Sequence, residues 1–217
     1  MGDSPNNSIA SKKLKVTELY LRVKDLALFA EETTPDYKSF LQPTLEINRA
    51  FDHFNRASSV ELGIKTIEKP EAYIEDSLDK AIGHLYRAFF DVADWLSINL
   101  REAILKEFSD FSHKSIQAVI PEYYQEIIPS IERVSKEIAG LRNDKDVKAT
   151  DTYSQMDAYE KILKELHEQI TNVRGKKGGV VDCEKRLERE KLKKLIINIL
   201  LIIMAAILGV LGTLLIT

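Results

Sequence analysis

Apolar residues recur at intervals of three and four along most of the chain, and no stretch alternates apolar with polar as a half-buried strand would. The pattern predicts an all-α fold. A first helix is expected from about Ser11 to Glu32 on Leu14, Leu19, Val23, Leu26 and Ala30. Residues 1–10 are polar, hold Pro5, Asn6 and Asn7, and read as disordered. Thr34-Pro35-Asp36 has the order of a helix start: hydroxyl cap, proline at the first position, acid in the first turn. Pro43 separates a short piece ending at Leu41 from a helix expected over Thr44 to about Lys65. Pro70 opens the most apolar helix of the body, on Ile74, Leu78, Ile82, Leu85, Phe89, Val92 and Leu96, with the pattern running toward Phe111. The helix expected from Lys114 to Leu141 contains Pro121 and Pro129, which predict kinks or breaks. A polar loop to Thr150 and an amphipathic helix from Asp151 to Val173 follow.

The remaining pattern changes character. Gly175 to Gly179 holds three glycines in five residues and reads as a flexible joint, with a basic helix over 180–194 behind it. Leu195 to Thr217 contains no charge, and its only polar side chains are Asn198, Thr213 and Thr217. At about 1.5 Å per residue, a helix of this length would cover a hydrocarbon core of ~30 Å. The expectation is a helical bundle body, residues 11–174, with a single C-terminal transmembrane helix. Lys185, Arg186, Arg189, Lys191, Lys193 and Lys194 precede the segment and no cation follows it, so the positive-inside rule puts the body in the cytoplasm and the C-terminus across the bilayer, as in a bacterial inner membrane. The start of the chain has no apolar stretch that would serve as a signal peptide. At 100° per residue, Asn198, Ala205, Gly209 and Gly212 share one edge, where small side chains and an amide favour packing against copies in a homo-oligomer.

Charge refines the picture. Residues 174–194 carry nine Lys/Arg against four Asp/Glu, a net of +5, which leaves −8 for residues 1–173 of a chain whose formal charge is −3. An acidic body is the reverse of what a general nucleic-acid binder shows, so any such site would be local. The one cysteine, Cys183, excludes an internal disulfide and a multi-cysteine zinc site.

No phosphate-binding loop, dinucleotide fingerprint, zinc-protease motif or nucleophile elbow is present, and the reading assigns no catalytic residue, metal or cofactor. One pattern does repeat. Arg49, His53 and Arg56 share the spacing i, i+4, i+7 with Lys80, His84 and Arg87, thirty-one residues on, each set on one helical face. Brought together, the six side chains would suit phosphate or nucleotide oxygens. A structural network or a solvated face is the plainer account of the same residues.

Two functional readings follow. In the first, the helical body senses an anionic ligand and controls a pore formed by assembled C-terminal helices, with the Asn198 ring at its mouth. A charged, motif-poor helical body with one membrane segment resembles, in layout over the whole chain, the ion-channel effectors of Hailong-type bacterial antiphage defence. That resemblance implies a channel held closed by a single-stranded DNA oligomer made by a partner nucleotidyltransferase, with the two His/Arg stripes as its contacts. In the second reading the chain is a tail-anchored adaptor or scaffold whose body docks a protein partner. A vesicle-fusion coiled coil is disfavoured, because Gly175 to Gly179 interrupts any heptad run before the tail.

Overall fold

The computed structural model describes residues 5–33, 41–143 and 152–216, and among them the chain is all-helical with no strand. Seven α-helices follow in order: α1 Pro5–Thr33, α2 Leu41–Glu61, α3 Pro70–Lys106, α4 His113–Val119, α5 Ile128–Asn143, α6 Thr152–Gly175 and α7 Lys177–Ile216. The Thr34-Pro35-Asp36 restart and most of the polar loop before Asp151 lie outside the described residues.

Local chemistry sets the boundaries. The polar start read as disordered is helical from Pro5, because Ile9 is buried and extends the apolar stripe of α1 by two turns. Pro43 sits inside the first turn of α2, where a missing N–H costs no hydrogen bond, so it does not separate two helices. Gly63 closes α2. Its φ of +71° lets its N–H reach Val60 O at 3.0 Å and that of Ile64 reach Ser59 O at 2.9 Å, the paired bonds of a Schellman end. Pro121 keeps Ile120 out of the helical region, at φ −131° and ψ 76°, and ends α4. A π-helical turn, Tyr123–Ile127, then carries the chain into α5. In an α-turn the Pro129 ring would press on the carbonyl four residues back, and the wider turn before it relieves that.

The described chain divides into two compact units, with α3, α5 and α6 contributing to both. Unit 1 comprises residues 1–102 and 134–168. Its core is built from Leu19, Val23 and Ala30 of α1, Ala57 of α2, Leu78, Leu85, Phe89, Val92 and Leu96 of α3, and Met156, Tyr159 and Leu163 of α6. Polar clasps close it: Arg22 reaches Asp157 at 2.5 Å and Glu160 at 3.0 Å, Lys12 reaches Asp79 at 2.8 Å, and Lys13 pairs with Glu61. Tyr159 donates to Asp94 at 2.9 Å, and Arg142 shares the same oxygen at 2.9 Å.

Unit 2 comprises residues 103–133 and 169–217. Ile104, Phe108, Ile116, Ile120, Tyr123, Ile127, Ile170, Val173, Val180 and Cys183 are its buried residues of note. Tyr123 donates to Ile104 O at 3.1 Å and meets the Phe108 ring edge-on at 5.4 Å.

Two expectations about the tail change. The glycine joint is a break of one residue: α6 runs to Gly175, α7 starts at Lys177, and Val180 is fully buried. The transmembrane helix is corrected as well, because among the described residues no helix is long and apolar enough to cross a membrane. Within α7 the described apolar side chains, 195–208, follow directly on Lys191, Lys193 and Lys194, three cations within one helical turn. The single-pass membrane location, the cytoplasm-facing orientation and the ion channel built on that helix are corrected with it.

Candidate functional site

The two His/Arg stripes do meet, but around an acid. The buried positions of α2 include Pro43, Glu46, Ala50, Ala57 and Val60, so helical spacing delivers Glu46 to the core side with no apolar residue in its place. Its side chain is 4% exposed. A carboxylate held there needs partners. Arg49 Nη1 donates to Oε1 at 2.5 Å, while His84 Nδ1 at 2.7 Å and Arg87 Nε at 3.0 Å, both from α3, donate to Oε2. The short contact to a carboxylate assigns the proton to Nδ1 of His84. The 2.9 Å approach of Arg87 Nη2 to that nitrogen is then a contact between two donors and not a hydrogen bond. Burial alone would raise the Glu46 carboxyl; hydrogen bonds from His84 and Arg87, the His84 charge and Arg49 outweigh it and hold the group below the ordinary carboxylate range.

The other three candidates surround this hub. His53 stacks on His84, with ring centroids 5.3 Å apart and planes 13° from parallel. Burial and the neighbouring His84, Arg56 and Lys80 charges push the His53 imidazole below its ordinary value. Arg56 pairs with Asp52 at 2.7 Å and Lys80 with Asp76 at 2.6 Å, both one turn back on their own helices. Each of the four cations in the repeat therefore faces a carboxylate. An arriving phosphate would have to displace those acids.

The tail candidates lie on α7. Lys185, Arg186, Arg189, Lys191, Lys193 and Lys194 are exposed, as are Asn198 and Ala205, and Gly209 and Gly212 fall within the same helix. Leu195, Ile196, Ile197, Ile199, Leu200, Leu201, Ile202, Ile203, Met204, Ile207 and Leu208 are each 47–69% exposed, and consecutive residues point around the whole helix. Asn198 is the one polar side chain from 195 to 208.

Three further features depend on contacts that the residue pattern does not show. Glu46 was visible only as the polar member of a buried stripe. An apolar groove of 440 Å³ in unit 1 lies between α1 and α2, lined by Val16, Tyr20, Ile47, Phe51, Phe54 and Leu85 among others. In unit 2, Glu184 of α7 accepts from Ser112 N at 3.0 Å, Ser112 Oγ at 2.7 Å and Ser115 Oγ. No group of three His, Cys, Asp or Glu is placed to hold a metal ion among the described residues. Comparisons with protein-family models, curated proteins and solved structures return no match.

Proposed function

We propose that this protein is a helical scaffold that assembles with copies of itself along α7. The observation that carries this reading is the exposure of the apolar run over 195–208 on every side of the helix. Eleven large side chains leave roughly 1,000 Å² of apolar surface bare, where the largest patch on an ordinary monomer is ~300–600 Å². A helix apolar all round is stable only when covered. Asn198 favours a copy as the cover. A lone amide in an apolar seam must find a hydrogen-bonding partner, and the same residue of a parallel, in-register helix supplies one. Ala205 on the same edge allows close approach. Upstream, Glu188 and Glu190 alternate with Lys185, Arg186, Arg189 and Lys191, so neighbouring copies can offset each other's charge.

Sensing of a nucleotide or oligonucleotide by Arg49, His53, Arg56, Lys80, His84 and Arg87 is the weaker reading, since Glu46, Asp52 and Asp76 already take up the four cations among them. Sedimentation velocity on the full chain tests the scaffold directly. The expected result is a discrete oligomer that Leu201→Glu converts to monomer. A monomeric wild type, or a wild type that leaves the oligomer to float with phospholipid vesicles, overturns the reading.

A further inference from the structure

The segment that the sequence presents as a hinge is held shut by charge. Around the break at Lys176, Arg174 Nε reaches Glu107 at 3.4 Å, Lys177 Nζ reaches the same carboxylate at 2.8 Å, and Lys176 pairs with Glu122. One turn further on, α7 lies so close to α4 that a Cβ built on Gly179 would stand 3.1 Å from Val119 Cγ1. Val180 and Cys183 are buried beside it.

The outermost fastening is Glu184, whose Oε2 accepts three hydrogen bonds: the Ser112 backbone N–H, the Ser112 hydroxyl and the Ser115 hydroxyl. Ser112 does two jobs at once. Its oxygen caps α4 by accepting from Ser115 N at 3.3 Å, while its proton goes to Glu184. The residue lies in the non-helical link between α3 and α4 and is part-exposed, whereas Ser115 is fully buried. Ser112 is therefore the reachable member of the cluster.

We propose that Ser112 is a charge switch for α7: as a neutral donor it fastens Glu184 and keeps α7 docked on α4, and as an anion it repels Glu184 and releases the helix. A protein kinase that transfers the terminal phosphoryl group of a nucleoside triphosphate onto Oγ, breaking the phosphoanhydride bond and releasing the nucleoside diphosphate and the hydroxyl proton, sets the released state. The oxygen would still cap α4, so the change acts on the α4–α7 contact and not on α4 itself. The glycines at 175, 178 and 179 then give the freed segment its pivot. This inference concerns docking within one chain and stands independently of assembly.

Hydrogen exchange on the full chain, carried out in both wild-type and Leu201→Glu backgrounds, tests it. Ser112→Asp keeps a capping oxygen but places a carboxylate against Glu184, and it is expected to speed exchange of the amides from Val180 to Arg186 about tenfold or more, with α1 and α2 unchanged. Adding Glu184→Lys restores an attractive contact and is expected to return protection. Ser112→Ala removes both the donated bond and the α4 cap without adding charge, and gives a smaller increase. Protection in Ser112→Asp equal to wild type, an effect in Ser112→Ala as large as in Ser112→Asp, acceleration extending into α1 and α2, or no recovery with Glu184→Lys each overturns the switch.

Discussion

Glu46 shows how one side chain decides what its neighbours can do. Its carboxylate is nearly closed to solvent and collects donors from α2 and α3, so removing the charge leaves Arg49, His84 and Arg87 facing an amide. The two arginines are half-exposed and recover part of the loss in water. Glu46→Gln is expected to cost about 2 kcal/mol, below the ~3–5 kcal/mol of a fully buried pair, and to lower the urea midpoint with an unchanged slope. Acid should weaken the same region through two groups. Glu46 titrates below its unfolded value, so its contribution is present above that value and is lost as pH falls through the folded one. His53 titrates below its ordinary 6.5, so the unfolded chain binds its proton first and stability declines as pH drops from 6.5 toward the lowered value. Urea midpoints at several pH values between 7.5 and 3 check this, and His53→Gln should flatten the slope over the upper part of that range and Glu46→Gln over the lowest part. The cation spacing was legible in the sequence. The acid at its centre was not, because a glutamate on a helix reads as solvent-facing until the burial of its stripe is known.

At the level of elements, glycine and proline carried most of the signal, and packing decided their outcome. Pro70 begins α3 as its position implies, and Pro121 ends α4. Pro129, expected to kink a long helix, instead follows a π-helical turn, a choice that depends on what the carbonyls before it can reach. The glycines of the tail suggest a joint, yet Gly178 and Gly179 are helical because α4 packs against the first turns of α7. Their surroundings differ, which makes a direct test. A Cβ at Gly178, or at Gly140 within α5, meets nothing within 4 Å, so Gly→Ala at either should raise the melting temperature by reducing the freedom of the unfolded chain, up to ~1 kcal/mol for the mid-helix Gly140. Gly179→Ala should gain less than Gly178→Ala, with the difference removed by Val119→Ala. Thermal unfolding of the four variants checks the order.

The whole molecule is governed by a mismatch between buried and bare apolar surface. Unit 1 buries its apolar stripes and ties them with acid–base pairs, whereas the far part of α7 in unit 2 leaves its apolar residues bare. If copies cover that surface, folding and association are linked, and the melting temperature should rise with protein concentration in wild type but not in Leu201→Glu. Differential scanning calorimetry over a hundredfold concentration range reads this out.

The sequence by itself determined the helical class, most helix cores and the cations of the two stripes, because side-chain period, proline position and charge are local properties. It also marked the uncharged tail, though a count of apolar residues could not say where the covered part of α7 gives way to the bare part. That limit, the acid that gathers the His/Arg stripes, and the serines that fasten Glu184 were decided only by tertiary structure. Each depends on which residues from distant parts of the chain come within hydrogen-bonding or van der Waals reach.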